Sequence, residues 1–365
     1  MNHSPEHPDR TESPAHPCCM PRGSGAAQTD PAAGSPAAGS PAAGGLAAGS
    51  PAAERPEPES LAARSSAAQG TPPQIPAARD TGPVHVEVSL PGGTFAMGDA
   101  FGEGYPADGE GPVHPVELDP FAIDVAPVTT AAYAAFARAT GYRTDAERAG
   151  SSAVFHLFVL AAPADVLGHS AAAPWWREVR GADWRHPFGP RGDAEGLSDH
   201  PVTHMSHRDA LAYCRWAGRS LPTEAQWEYA ARGGLPGRRY AWGDDLRPGG
   251  EHRCRIWNGE FPHRPTGEDG WFATSPVGTY PANTYGLHDV AGNVWEWCAD
   301  YFEPRWYARS PRDNPVGPPT GDRRVLRGGS YLCHRSYCNR YRVSARTGNT
   351  PESTSGNCGF RTVAT

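Results

Sequence analysis

Cys333 and Cys338, five residues apart, close the segment Gly328-Gly329-Ser330-Tyr331-Leu332-Cys333-His334-Arg335-Ser336-Tyr337-Cys338. Two thiols so placed can close a disulfide, cycle as a dithiol couple, hold a soft metal ion or pack as inert small hydrophobes. Thiolates favour Cu(I), and an ion held by two sulfurs leaves a position for a third. A visiting cysteine bound there would be deprotonated by the metal's charge. Zinc suits the pair less well, because the spacing is not Cys-x-x-Cys and no second pair lies nearby. Ser330 is either a hydroxyl aimed at this chemistry or a plain turn serine after two glycines. A second kind of chemistry is offered by the loops around Asp269 and Glu296 in glycine-rich chain, since hard cations take carboxylate and carbonyl oxygens.

Composition removes several alternatives. All 33 basic residues are arginine. Without lysine there is no Schiff base, no pyridoxal-phosphate attachment and no phosphate loop of the usual kind. The net charge of −7 argues against nucleic acid as a partner. No glycine fingerprint for flavin or nicotinamide follows a strand. The 8 cysteines do not suggest a disulfide framework in a chain of this size. No stretch reads as a membrane span, and the N-terminus lacks the apolar core of a secretory signal, so a cytoplasmic location is expected.

The elements that must position these residues begin near Val84. Residues 1–83 read as a disordered tail rich in Pro, Ala, Gly and Ser, with a five-residue repeat over 34–53 and no aromatic side chain. Residues 84–365 are enough chain for one large folded domain, or two at a stretch. Alternation marks strands at Val84-His85-Val86-Glu87-Val88 and after Pro91-Gly92-Gly93. Val116-Glu117-Leu118-Asp119 and Phe121-Ala122-Ile123-Asp124 read as a strand pair, and Arg324-Val325-Leu326-Arg327 as a strand leading into the cysteine segment. Three helices are readable, opened by Thr129 or Thr130, Ser206 and Thr223, and stopped by Gly141, Gly218 and Gly233. Beyond residue 235 periodicity fades into Gly, Pro, Asn and Trp. The sum is an α+β domain with little regular secondary structure.

Several segments together resemble the formylglycine-generating enzymes, or sulfatase-modifying factors, of bacterial type. They include Gly92-Gly93-Thr94-Phe95, Ala173-Pro174-Trp175-Trp176, Leu221-Pro222-Thr223-Glu224, Gly259-Glu260-Phe261-Pro262 and Gly292-Asn293-Val294-Trp295-Glu296-Trp297. Cys333-His334-Arg335-Ser336-Tyr337-Cys338 and Gly359-Phe360-Arg361 complete the set. The resemblance spans roughly 84–365 and implies a single compact fold related to C-type lectin-like domains. It implies a copper-dependent oxidase that uses O₂ and a thiol reductant to convert a cysteine to Cα-formylglycine. The target would lie in a Cys-x-Pro-x-Arg segment of a sulfatase or another protein. It assigns Cu(I) to Cys333 and Cys338, a catalytic hydroxyl to Ser330, and substrate contacts to Trp175, Trp176, Trp295, His334, Arg346 and Asn357. It also implies structural Ca²⁺ at one or two sites: Ile256, Asp269 and Trp271, and then Asp289, Gly292, Val294 and Glu296. One departure stands out, since Arg255 occupies a position where the family commonly has Asn, and arginine has no side-chain oxygen to donate. A non-catalytic binding module on the same fold is the alternative, and paired thiols count against it. An iron-dependent sulfoxide synthase would want a His-rich helical partner domain, which the tail cannot supply.

Overall fold

The computed structural model describes residues 85–365, so the expected N-terminal tail lies outside the described residues. Four helices follow from local capping chemistry. Helix α1 spans Thr130–Thr140, with Thr129 accepting from the Ala132 amide and Gly141 closing it in the left-handed region. Helix α2 spans Asp145–Ala149, α3 His207–Ala217 and α4 Glu224–Arg232. Each of these three opens on a reciprocal capping box: Thr144 with Glu147, Ser206 with Asp209, and Thr223 with Gln226. Helix α2 has no counterpart among the three helices read from sequence. Its 5 residues are too few to show an apolar period.

Strand pairing departs from the local reading. Val116–Asp119 and Phe121–Asp124 do not pair with each other. His114–Leu118 pairs with Gly93–Met97, while Phe121–Asp124 pairs with Glu87–Leu90 in a different sheet. That sheet continues through Val363–Ala364 to Arg219–Ser220, so the C-terminus closes against the first strand's neighbour. The apolar positions fix which face each strand buries; they do not choose its partner.

The sheet that matters for the site runs Arg346–Asn349, Arg324–Arg327, Trp295–Tyr301, Cys358–Gly359. Arg327 sits opposite Glu296 on one side and Arg346 on the other. The chain leaves this strand directly into the cysteine segment. Around it, one core cluster gathers Cys333 and Cys338 with Trp295, Trp297, Tyr341 and Phe360. Among the described residues, no helix is long and apolar enough to cross a membrane.

Candidate active site around Cys333 and Cys338

Gly328 and Gly329 take φ of 89° and 75°, in the left-handed region that favours glycine. A Cβ on Gly329 would lie 2.6 Å from the Arg340 carbonyl oxygen and 3.2 Å from Cys333 Sγ. The chain then winds into two consecutive turns. Cys333 N donates to Ser330 O at 2.9 Å, and Cys338 N donates to His334 O at 2.7 Å. The second turn folds Cys338 back until the two Sγ atoms are 3.1 Å apart. A disulfide would hold them at about 2.0 Å, so at 3.1 Å they are not bonded to each other. Cys338 Sγ donates to Cys333 Sγ, which also receives the Ser330 N–H at 3.4 Å. The pair therefore has the spacing and chemistry to hold one soft ion.

Ser330 and Asn357 are brought to the same place. Ser330 Oγ accepts from Asn357 Nδ2 at 3.0 Å and from Leu332 N at 3.3 Å, which leaves its own proton to donate. Asn357 Oδ1 accepts from Ser355 Oγ at 2.7 Å, which fixes the amide orientation. Trp295 is fully buried in the cluster that holds both thiols, and its indole N–H finds no acceptor. His334 is half-buried, with Nδ1 2.8 Å from Ser336 Oγ. Burial, helped by Arg335, lowers its pKa, so the ring is neutral near pH 7.

Trp175 is half-buried and packs edge-on to Tyr337 and Phe261, at 4.8 Å and 5.3 Å between ring centres. Tyr337 itself stacks on Phe261 at 4.6 Å. Phe261 and Tyr337 are site neighbours that sequence reasoning did not single out. The signal was present, since Tyr337 directly precedes Cys338 and Phe261 lies in Gly259-Glu260-Phe261-Pro262.

Three expectations need correction. Trp176 has 0 % exposure and lies in the core beside Phe155 and Trp257, because adjacent residues in extended chain face opposite ways. Arg346 is not presented to a substrate. Its Nε and Nη2 bind Glu224 at 2.6 Å and 2.8 Å, and its Nη1 meets the carbonyls of Asp108, Gly109 and Glu303. The thiols, expected to lie open on one side, are 1 % and 0 % exposed. Arg335 and Ser336 at the tip of the same turn are exposed.

The two acidic loops differ in their fit to calcium. In the first, Arg255 Nη1 donates to Ile256 O at 2.6 Å and to Asp269 Oδ2 at 3.1 Å. Trp271 turns its N–H to Asp269 at 3.3 Å. A guanidinium thus holds the very oxygens a cation would take, and calcium does not fit this loop. In the second, Asp289 accepts from Gly278 N at 2.9 Å and Asn293 Nδ2 at 3.3 Å. Glu296 is held bidentately by Arg361 at 2.6 Å and 2.7 Å. Two carboxylates face one guanidinium there. Burial raises the Asp289 pKa, as expected of an acid short of counter-charge. Among the described residues no three His, Cys, Asp or Glu converge, so the carbonyls of Gly292 and Val294 would have to complete a cation shell.

Comparison with known proteins agrees with this geometry. Residues 72–365 match the family described as the sulfatase-modifying factor enzyme 1-like domain. The chain is 66 % identical over 286 residues to the formylglycine-generating enzyme of Streptomyces coelicolor, covering 78 % of this chain and 91 % of that protein. It is 54 % identical over 280 residues to that of Thermomonospora curvata, covering 76 % and 92 %. Its fold is similar to that of PvdO from Pseudomonas aeruginosa, with a TM-score of 0.56 at 24 % identity over 80 % of this chain and 98 % of that one. The chain belongs to the formylglycine-generating enzyme family and is an oxidoreductase of that kind.

Proposed function

We propose that this protein oxidises a cysteine in a Cys-x-Pro-x-Arg segment of sulfatases, or of other polypeptides carrying that segment, and that Cys333 and Cys338 hold a Cu(I) ion for the purpose. The observation that carries the reading is the pair of sulfurs 3.1 Å apart, buried beside the hydrogen-bonded Ser330 and Asn357. Bound between them, a soft ion would supply the one-electron chemistry that side chains lack for O₂.

The reaction balances as R–CH₂–SH plus O₂, two protons and two electrons giving R–CHO, H₂S and H₂O. A thiol reductant supplies the electrons and protons. The protein's own residues bind and orient. Ser330, held by Asn357, keeps a hydroxyl proton to donate. Trp175, Phe261 and Tyr337 offer an apolar ledge for an extended peptide with a proline. The dry surroundings of the pair keep bulk water from the reacting carbon. In the second acidic loop Asp289, with the carbonyls of Gly292 and Val294, would hold a single Ca²⁺, while Glu296 is taken by Arg361 and Trp227. A reducing, cytoplasmic site of action is supported by six described thiols without a disulfide.

The test is mass spectrometry of a Cys-x-Pro-x-Arg peptide after incubation with copper-loaded and rigorously copper-free protein. Aldehyde is expected only with copper. Equal yield in both would leave a bare dithiol couple as the mechanism.

A further inference from the structure

We propose that the guanidinium of Arg255 is the resident cation of the Asp269 loop and stands there in place of calcium. Arg255 is 2 % exposed, and the Asp269 side chain is 1 % exposed. Its fork meets three oxygens: Ala273 O from Nε at 2.7 Å, and Ile256 O and Asp269 Oδ2 from Nη1 at 2.6 Å and 3.1 Å. Asp269 Oδ2 also accepts from the Tyr280 hydroxyl at 2.8 Å. One carboxylate faces one fixed positive charge, so the loop is neutral as built. A divalent ion would leave it positive and would have to evict a guanidinium into apolar surroundings, which is costly. Calcium also asks for six to eight oxygens, and here the best-placed ones already accept from Arg255.

The cation sits on a strut. Arg255 O accepts from Asn293 N at 2.7 Å, and a Cβ on Gly292 would lie 2.0 Å from that oxygen. Two residues on, Trp257 N donates to Cys333 O at 3.1 Å. The segment 255–257 therefore joins the Asp269 loop to the second acidic loop and to the thiol turn, with a pin no chelator can remove. This stands whether or not the chain oxidises cysteine.

Calcium stoichiometry by equilibrium dialysis and elemental analysis of the full chain tests it, with melting curves in calcium and in chelator. Arg255→Asn should bind one more ion per chain than the wild type, and Arg255→Asn with Asp269→Asn should lose it again. The single variant's melting temperature should become more chelator-sensitive than the wild type's. A folded Arg255→Asn with no added ion overturns the proposal. So does a wild-type calcium ion that Asp269→Asn removes. Should Arg255→Asn fail to fold, the wild type decides alone. Crystals soaked in Tb³⁺ should show no anomalous peak at Asp269, and a peak there overturns the assignment.

Discussion

The segment between strands Arg324–Arg327 and Arg346–Asn349 has two buried ends that differ in kind. At the sulfur end, the two sulfurs meet each other and the Ser330 N–H, and Ser330 meets Asn357. At the other end charge is everywhere. Arg327 reaches Glu224 at 3.1 Å and Glu228 at 2.5 Å, and Arg346 grips Glu224 with two nitrogens. Burial alone would raise the Glu228 pKa, but Arg232 and Arg327 beside it hold it at about 2. Arg340 on Asp108 and Arg342 on Glu110 extend the same grip along the segment. Ion pairs anchor the chain where it must not move. The sulfurs are held instead by weak hydrogen bonds and turn geometry.

The contrast breaks most sharply if sulfur-end changes cost stability or arginine-end changes spare it. Cys333→Ala and Cys338→Ser should each lower aldehyde formation by more than about 10³-fold, as expected for residues that act as a unit. Their melting temperatures should stay within about 3 °C of wild type, because small buried thiols pack like their replacements. A variant with wild-type turnover would remove the pair from the mechanism.

Arg346→Met should do the reverse, costing on the order of a few kcal/mol in denaturant titrations by leaving Glu224 with Arg327 as its one guanidinium partner. Glu224→Gln added to it should restore part of that loss. A substrate role for Arg346 would instead raise KM and leave stability untouched.

Asp300 sharpens the picture by pH. Burial, then the charge of Glu224, raises its pKa from 3.8 to about 7. Between those values the folded state keeps a proton that the unfolded state has released, so stability falls as pH rises. The drop is on the order of a few kcal/mol. Asp300→Asn keeps an oxygen for the Glu224 N–H, bonded at 2.7 Å, and should flatten urea-measured stability between pH 5 and 8. An unchanged slope would show that another group titrates.

The smallest effect belongs to Asn357, a positioning residue. Asn357→Ala should lower kcat about 10-fold with KM little changed. Joined to Ser330→Ala, it should add nothing further. Full additivity would mean that Asn357 does not act through the Ser330 hydroxyl.

Much of this was legible in residue order. Capping boxes at Ser206 and Thr223 and glycine stops at Gly141, Gly218 and Gly233 are local chemistry, and the helices start and end there. The thiol pair was legible because its spacing is itself a turn. What stayed hidden was long-range. Glu224 and Arg346 are 122 residues apart, and nothing near either names the other. Strand partners at the N-terminus were hidden for the same reason. So was the depth of the thiols, since the exposed tip residues Arg335 and Ser336 mask two buried neighbours. Arg255 was visible as an odd residue in its motif, but only the fold shows its guanidinium among the oxygens of its own loop.

Trp175 keeps one face toward water, while Trp176, Trp257 and Trp295 are sealed. Indoles in contact with water emit at longer wavelength than dry ones. A peptide settling over Tyr337 and Phe261 would shift the light of Trp175 towards the blue against a constant background from the sealed indoles and from Trp216, Trp242 and Trp306, which also meet water elsewhere. The protein thereby carries an optical gauge of occupancy, read without a label and before any bond is broken.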